Sequence, residues 1–280
     1  MRTSLPDNKL PYAKNDHNLR KSKYLIYYYL NRDFIKVQKN WRPQMGNASF
    51  QFKQFIVHHD LCAMKVGTDG VLLGAWAPFA VPKTILDVGT GSGLLALMVA
   101  QRYPTSAVTA IDIDGSAVAQ ATINVEASPF SNRISIEAAS LQQFTLSASP
   151  SSFDAIICNP PFFENSLLAP ELSRRTARHA TELTLDDLVS CAARLLRPEG
   201  QFAVVMPSDA LDHLRRLCFT VGLNLETLCH VKTTPTKAPK RTLSCWRKGH
   251  VEKSTESTLL LTLDGRRSPD YSALTADFYL

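Results

Sequence analysis

No run of apolar residues in this sequence works as a bilayer-crossing segment, which needs roughly 18 to 20 of them. The aromatic stretch Tyr24-Leu25-Ile26-Tyr27-Tyr28-Tyr29-Leu30 is short and is followed by Asn31-Arg32-Asp33. It therefore lacks both the longer apolar core and the small-residue cleavage site of an export signal. None of the six cysteines, at positions 62, 158, 191, 218, 229 and 245, belongs to a Cys-x-x-Cys pair. That argues against a structural zinc and against a disulfide framework, and predicts free thiols in a reducing, cytoplasmic compartment. There is no Walker A run and no His-Glu-x-x-His. His58-His59 has no third ligand nearby, and adjacent histidines on a strand point apart, so no metal is expected.

What is present is a chain of 280 residues, 45% hydrophobic, long enough to bury a sizeable core. Its formal charge of +6 suggests a nucleic-acid partner until its distribution is considered. Residues 1–44 hold 10 Lys and Arg against 3 Asp and Glu, whereas residues 45–280 hold 21 against 22. All the excess positive charge lies in the leader. Two readings of 1–44 stand: a basic RNA-binding arm, or an irregular extension ahead of a domain that begins near Met45, possible if translation starts there. The second is preferred, because basic and aromatic residues are not interleaved on a face that could follow a phosphate backbone.

From about residue 83 short apolar runs alternate with helical spacing. Strands are expected at 84–89, 107–112, 133–137, 153–158, 200–206, 223–231 and 257–263. Helices are expected at 94–102, 115–127, about 184–196 and 209–221, with Thr184 and Asp186-Asp187 supplying a helix start. This order predicts an α/β fold, a mostly parallel seven-stranded sheet with helices on both faces.

The first of these strands ends in Asp87-Val88-Gly89-Thr90-Gly91-Ser92-Gly93 and opens a helix, the setting in which glycines let a backbone approach a nucleotide. Asp112 ends the second strand, where a carboxylate can accept hydrogen bonds from ribose hydroxyls. Gly91-Ser92-Gly93-Leu94-Leu95-Ala96 also fits the dinucleotide fingerprint, so a nicotinamide dehydrogenase enters as a rival. The fourth strand ends in Asn159-Pro160-Pro161-Phe162, at the edge of the crevice where strand order reverses. The lone pair of an adenine amino group is delocalised into the ring. The Asn159 side-chain oxygen and the Pro160 carbonyl can accept its two hydrogens and turn the nitrogen toward tetrahedral geometry, facing a methyl donor. The prolines stiffen the loop, and Phe162 can stack on the base.

Together with Lys65-Val66-Gly67-Thr68-Asp69-Gly70-Val71-Leu72-Leu73-Gly74 and Arg178-His179, these motifs resemble the bacterial tRNA1(Val) adenine-37 N6-methyltransferase family, within the Rossmann-like S-adenosylmethionine-dependent amino-methyltransferases. The resemblance runs from about Phe50 to the C-terminus. It implies methyl transfer from S-adenosylmethionine to adenine N6 in tRNA, in the anticodon loop of a valine tRNA. It further implies cofactor contacts at Thr68, Asp87, Gly89, Gly91, Gly93 and Asp112, and catalysis by Asn159, Pro160 and Phe162. Where relatives usually carry an Asp toward the cofactor adenine, this chain has Ser140, which can accept a hydrogen bond without charge.

RNA contacts are expected from Arg174, Arg175 and Arg178 beside the Asn-Pro-Pro-Phe loop, and from Lys237, Lys240 and Arg241 within a basic stretch running from His230 to Lys253. A solvated lysine-rich hairpin is the alternative for that stretch. The domain is expected to be 45–280, acting as a monomer without metal or membrane. Rival activities are protein-glutamine N5-methylation and duplex-DNA adenine methylation; a non-catalytic RNA-binding scaffold is the rival from another class.

Overall fold

The computed structural model of the chain describes residues 48–62, 65–161 and 183–280. Expectations for residues 1–44 and for Phe162, Arg174, Arg175 and Arg178 lie outside the described residues. A short hairpin, β1 (Ser49–Gln51) and β2 (Ile56–His58), precedes α1 (Thr68–Trp76). The alternating portion follows as β3 (Thr84–Val88), α2 (Leu94–Arg102), β4 (Ala107–Asp112), α3 (Gly115–Glu126), β5 (Ile134–Ala138), α4 (Leu141–Ser147), β6 (Phe153–Cys158) and α5 (Leu185–Leu195). Then come β7 (Leu196–Pro207), α6 (Leu211–Thr220), β8 (Leu223–Lys232), β9 (Arg241–Lys248), β10 (Thr255–Leu260), a small hairpin of β11 (Thr262–Leu263) and β12 (Arg266–Arg267), and α7 (Pro269–Leu274).

Eight strands form the central sheet in the order β10-β8-β9-β7-β6-β3-β4-β5. The β3–β4, β4–β5, β3–β6, β6–β7 and β8–β10 pairs are parallel, and β9 runs against both β7 and β8. The mostly parallel sheet agrees with the sequence, but the strand count does not. Arg241–Lys248, which the sequence places in a basic stretch and not among the expected strands, is a strand whose Thr242 to Trp246 are all buried. Its charges cluster at the two ends, Arg241 at one and Arg247-Lys248 at the other, which masks the apolar middle in a composition count.

Strands covered on both faces lack polar alternation, and their side chains divide between two cores. Ile85, Ala155 and Ile157 pack with α1 and α2, while Leu86, Ile156 and Cys158 pack with α5 and α6. Each fully buried Leu, Ile or Val contributes about 1.5–3 kcal/mol relative to exposure. Helix α1 was not expected as an element. Gly70 to Ala75 are all buried, so no polar face marks its period. Gly74 sets how closely α1 meets α2, because a Cβ there would lie 2.6 Å from the sulfur of Met98. The order reverses between β4-β3 and β6-β7, which leaves a crevice at the carboxyl ends of β3 and β6.

Candidate active site

Three glycines with positive φ shape the turn leaving β3: Gly89 at 67°, Gly91 at 56° and Gly93 at 83°. Those values favour glycine. A Cβ at Gly89 or Gly91 would meet nothing within 4 Å, so the turn borders open space into which a side chain would project. At Gly93 a Cβ would touch Ala121 at 3.4 Å, and that glycine also serves the approach of α2 to α3. Beneath the turn, Asp87 is fully buried. Its Oδ2 accepts from the Thr90 hydroxyl at 2.6 Å and the Ala96 amide at 3.0 Å, while Oδ1 has no partner. Burial pushes this carboxyl up to about 7, against the pull of the Thr90 and Ala96 hydrogen bonds, with a smaller upward push from Asp112. An unpartnered buried carboxylate oxygen beside an open glycine cradle suits a cationic ligand group that donates hydrogen bonds.

Asp112 lies 21 residues from Gly91 and binds it: Oδ2 accepts from the Gly91 amide at 2.8 Å, and Oδ1 from the Asp114 amide at 2.9 Å. Both oxygens keep lone pairs for outside donors. The next residue, Ile113, is 59% exposed and offers an apolar surface beside that carboxylate. Ser140 is half-buried at the start of α4, where its hydroxyl accepts from the Gln143 amide at 3.2 Å. Helix capping thus accounts for a serine at this position, with the hydroxyl proton left to donate.

Sequence reasoning missed two buried amides on α3. Asn124 donates to the carbonyls of His58 and Ser92, both at 2.8 Å, and accepts from the His58 amide at 3.0 Å. Gln120, one turn earlier, accepts from the Leu61 amide at 3.0 Å. The pair clasps the segment after β2 onto the glycine turn. A signal existed: Ala117, Gln120, Ala121, Asn124 and Val125 form the inward stripe of α3, and polar residues on such a stripe need partners.

Register pairing of Val88 with Cys158 brings the glycine turn beside the start of Asn159-Pro160-Pro161. Both Asp87 and Asp112 lie close enough to add to the upward shift of the Cys158 thiol, whose main cause is burial. Asn159 is half-buried and Pro160 buried. Among the described residues the Asn159 side-chain amide takes no hydrogen-bond partner. It lies against α1: a Cβ at Gly70 would stand 3.6 Å from Asn159 Nδ2 and 3.1 Å from Leu94. Thr68 is exposed at the first position of the same helix. The residues expected to bind cofactor and to act on the base therefore converge, as far as they are described.

The basic stretch from His230 to Lys253 divides. Lys237 and Lys240 are exposed in the β8–β9 connection, at the carboxyl end of the sheet and so at the same end as Asn159. Arg241, expected as a phosphate ligand, makes an ion pair within the protein. Its Nε donates to Asp69 Oδ2 at 3.0 Å, an ion pair between two partly buried side chains. Arg247 and Lys248 lie at the opposite end, bound to Glu226 and to the carbonyls of Ala193 and Leu196 respectively. A linear cluster of charge is not a cluster in space.

Residues 70–217 match the family model of the methyltransferase small domain. A tRNA1(Val) (adenine(37)-N6)-methyltransferase of Phocaeicola vulgatus is 46% identical over 237 residues, covering 84% of this chain and 99% of that protein. The enzyme of the same name from Porphyromonas gingivalis is 43% identical, covering 84% and 96%. That from Tolumonas auensis is 41% identical, covering 84% and 98%. Among solved structures, a predicted O-methyltransferase from Agrobacterium tumefaciens is similar with a TM-score of 0.59 at 18% identity, over 75% of this chain and 96% of that one. That likeness concerns the fold.

Proposed function

The chain belongs to the tRNA1(Val) (adenine(37)-N6)-methyltransferase family, and from that premise we propose how its own residues carry out methyl transfer from S-adenosylmethionine to adenine N6 in a valine tRNA. The cofactor supplies an electrophilic methyl group on a sulfonium. Asp87 Oδ1 would hold the ammonium of its methionine end, and Gly89 and Gly91 would leave room for it beside the backbone. Asp112 would accept from the ribose hydroxyls, and the exposed Ile113 would offer an apolar surface to the cofactor adenine. The observation that carries this reading is the unpartnered Asp87 oxygen under an open glycine turn, one strand away from the half-buried Asn159.

At the substrate, Asn159 Oδ1 and the Pro160 carbonyl accept the two N6 hydrogens of an extruded adenine, with Phe162 assigned to stacking. The amine becomes acidic as the methyl group arrives, so a proton can pass to water without a strong base. Positioning and fixed dipoles therefore supply most of the rate. An anticodon-loop purine costs less to extrude than one inside a duplex. Lys237 and Lys240, with Arg174, Arg175 and Arg178, are assigned to phosphates. The 237 matched residues agree in length with a methyltransferase domain at 45–280, and one chain supplies both halves of the crevice, consistent with a monomer in the cytoplasm, where tRNA is modified. Asn159→Ala should lower transfer about 1,000-fold, measured as N6-methyladenosine by nucleoside mass spectrometry. S-adenosylmethionine affinity by calorimetry should change less than about threefold on the uniform-binding argument. Retained activity would falsify this assignment.

A further inference from the structure

We infer that Arg241 and Asp69 are positioning residues for methyl transfer, acting through the first turn of α1 on Asn159. The inference rests on the role proposed for Asn159. Helix α1 is preceded by Gly67 at its N-cap, which has no side chain to cap the helix, so its first turn is held locally only by the backbone, with the Val71 amide donating to the Gly67 carbonyl at 3.3 Å. The ion pair does so from a distance of 172 residues, with Arg241 Nε 3.0 Å from Asp69 Oδ2. The residue after Asp69 is Gly70, where the position of a missing Cβ lies 3.6 Å from the Asn159 amide and 3.1 Å from Leu94. Movement of this turn by a fraction of an ångström would open or crowd the wall against which the Asn159 amide rests.

Arg241 is itself firmly placed. It starts β9, in register with Pro207 of β7 and Val231 of β8. Its neighbour Lys240 accepts from the Ser208 amide at 3.2 Å and donates to the Val231 carbonyl at 3.2 Å. Arg241 Nη1 also donates to the Lys240 carbonyl at 3.1 Å. A side chain anchored at the start of a strand paired on both sides can hold a helix that lacks a side-chain cap. Lys240 is exposed toward the end where tRNA is proposed to bind, and Arg241, adjacent in sequence, turns its charge to the protein.

The test is steady-state kinetics on tRNA1(Val) with Asp69→Asn, Arg241→Gln, their combination and Arg241→Lys, alongside calorimetric S-adenosylmethionine binding. Each of the first two single variants is expected to lower kcat about tenfold to a hundredfold, the scale on which small misplacements of reacting groups act. Cofactor affinity and the KM for tRNA should stay within about threefold. The double variant should be no worse than either single one, because both remove the same contact. Arg241→Lys keeps a cation and should recover part of kcat, and its comparison with Arg241→Gln suffices if Asp69→Asn does not fold. A raised KM with a shallower salt dependence in Arg241→Gln, and a silent Asp69→Asn, would return Arg241 to the phosphates and overturn the inference. Additive losses would also overturn it. A wild-type protein that fails to methylate tRNA would instead remove the proposed function.

Discussion

Asp87 and Asp154 stand on neighbouring parallel strands, β3 and β6, and their surroundings drive them in opposite directions. Asp154 lies at the amino end of β6, where Oδ2 accepts from the Lys83 and Thr84 amides at 2.8 and 2.9 Å and Oδ1 pairs with Arg197 at 2.7 Å. Partial burial pushes its carboxyl up, but Arg197 and the two amides outweigh that and hold it below the usual range. Asp87, at the carboxyl end, keeps an oxygen without a partner and is pushed up to about 7. The contrast extends to their surroundings. An open cleft of about 430 Å³ lies beside Asp154, lined also by Gln201 and Arg247. Gln201 Nε2 and Arg247 both bind Glu226, and Gln201 Oε1 accepts from the Ala80 amide. Concavity is present at the amino end, but the Asp154 carboxylate, the Gln201 amide and the Arg247 guanidinium there already have partners. Unspent hydrogen-bonding capacity, more than shape, marks the carboxyl end as the reactive one.

The largest effect expected from breaking this contrast is in binding. Asp87→Ala should weaken S-adenosylmethionine binding about 100-fold, since the ligand ammonium would lose a buried charged partner; calorimetry reads it directly. Asp154→Ala should leave that affinity unchanged and lower stability by about 1–2 kcal/mol, from the lost acceptor for two backbone amides, seen as a shift in urea midpoint. If Asp154→Ala weakened cofactor binding as much as Asp87→Ala, the distinction between a structural and a functional aspartate would fail.

Titration sharpens the same comparison. An ammonium ligand favours the Asp87 carboxylate, so cofactor affinity should rise about tenfold between pH 6 and pH 8, and Asp87→Asn should flatten the profile. Without ligand the two aspartates oppose each other. The folded-state value of Asp87 is raised, so the native protein holds an extra proton between about 4 and 7 and loses stability as pH rises through that window. That of Asp154 is lowered, so its contribution is present above the unfolded value and is lost as pH falls through the folded one. The smallest effect concerns the exposed lysines. Lys237→Glu with Lys240→Glu should weaken tRNA binding about tenfold at low salt and reduce the salt slope, while changes at Lys253, at the other end of the sheet, should do neither.

Much of this molecule is legible from short stretches of sequence. The glycine turn after β3, the carboxylate ending β4 and the Asn159-Pro160 strand exit are consecutive signals, and the alternation of strands with helices brings them to one end of a parallel sheet. Helix α1 and strand β9 were hidden for different reasons. Residues 70–75 are buried on all sides and lack a stripe, whereas β9 carries its charges at its ends around a buried middle. The pairing of Arg241 with Asp69 was not legible, because its neighbours in sequence, Lys237 and Lys240, face solvent. Ser140 reads from the sequence as an uncharged acceptor toward the cofactor adenine, and its cap on α4 became visible only with the helix boundary.

The sequence alone determined the alternating strands and helices that carry the site, the crevice between β3 and β6 and the residue types available there, because backbone propensity, glycine φ and apolar periodicity act over a few neighbouring residues. Only the tertiary structure decided which charges are free. Whether a carboxylate keeps an unpartnered oxygen, or an arginine is bound to an aspartate 172 positions away, depends on burial and strand register, and these are set by packing across the whole chain.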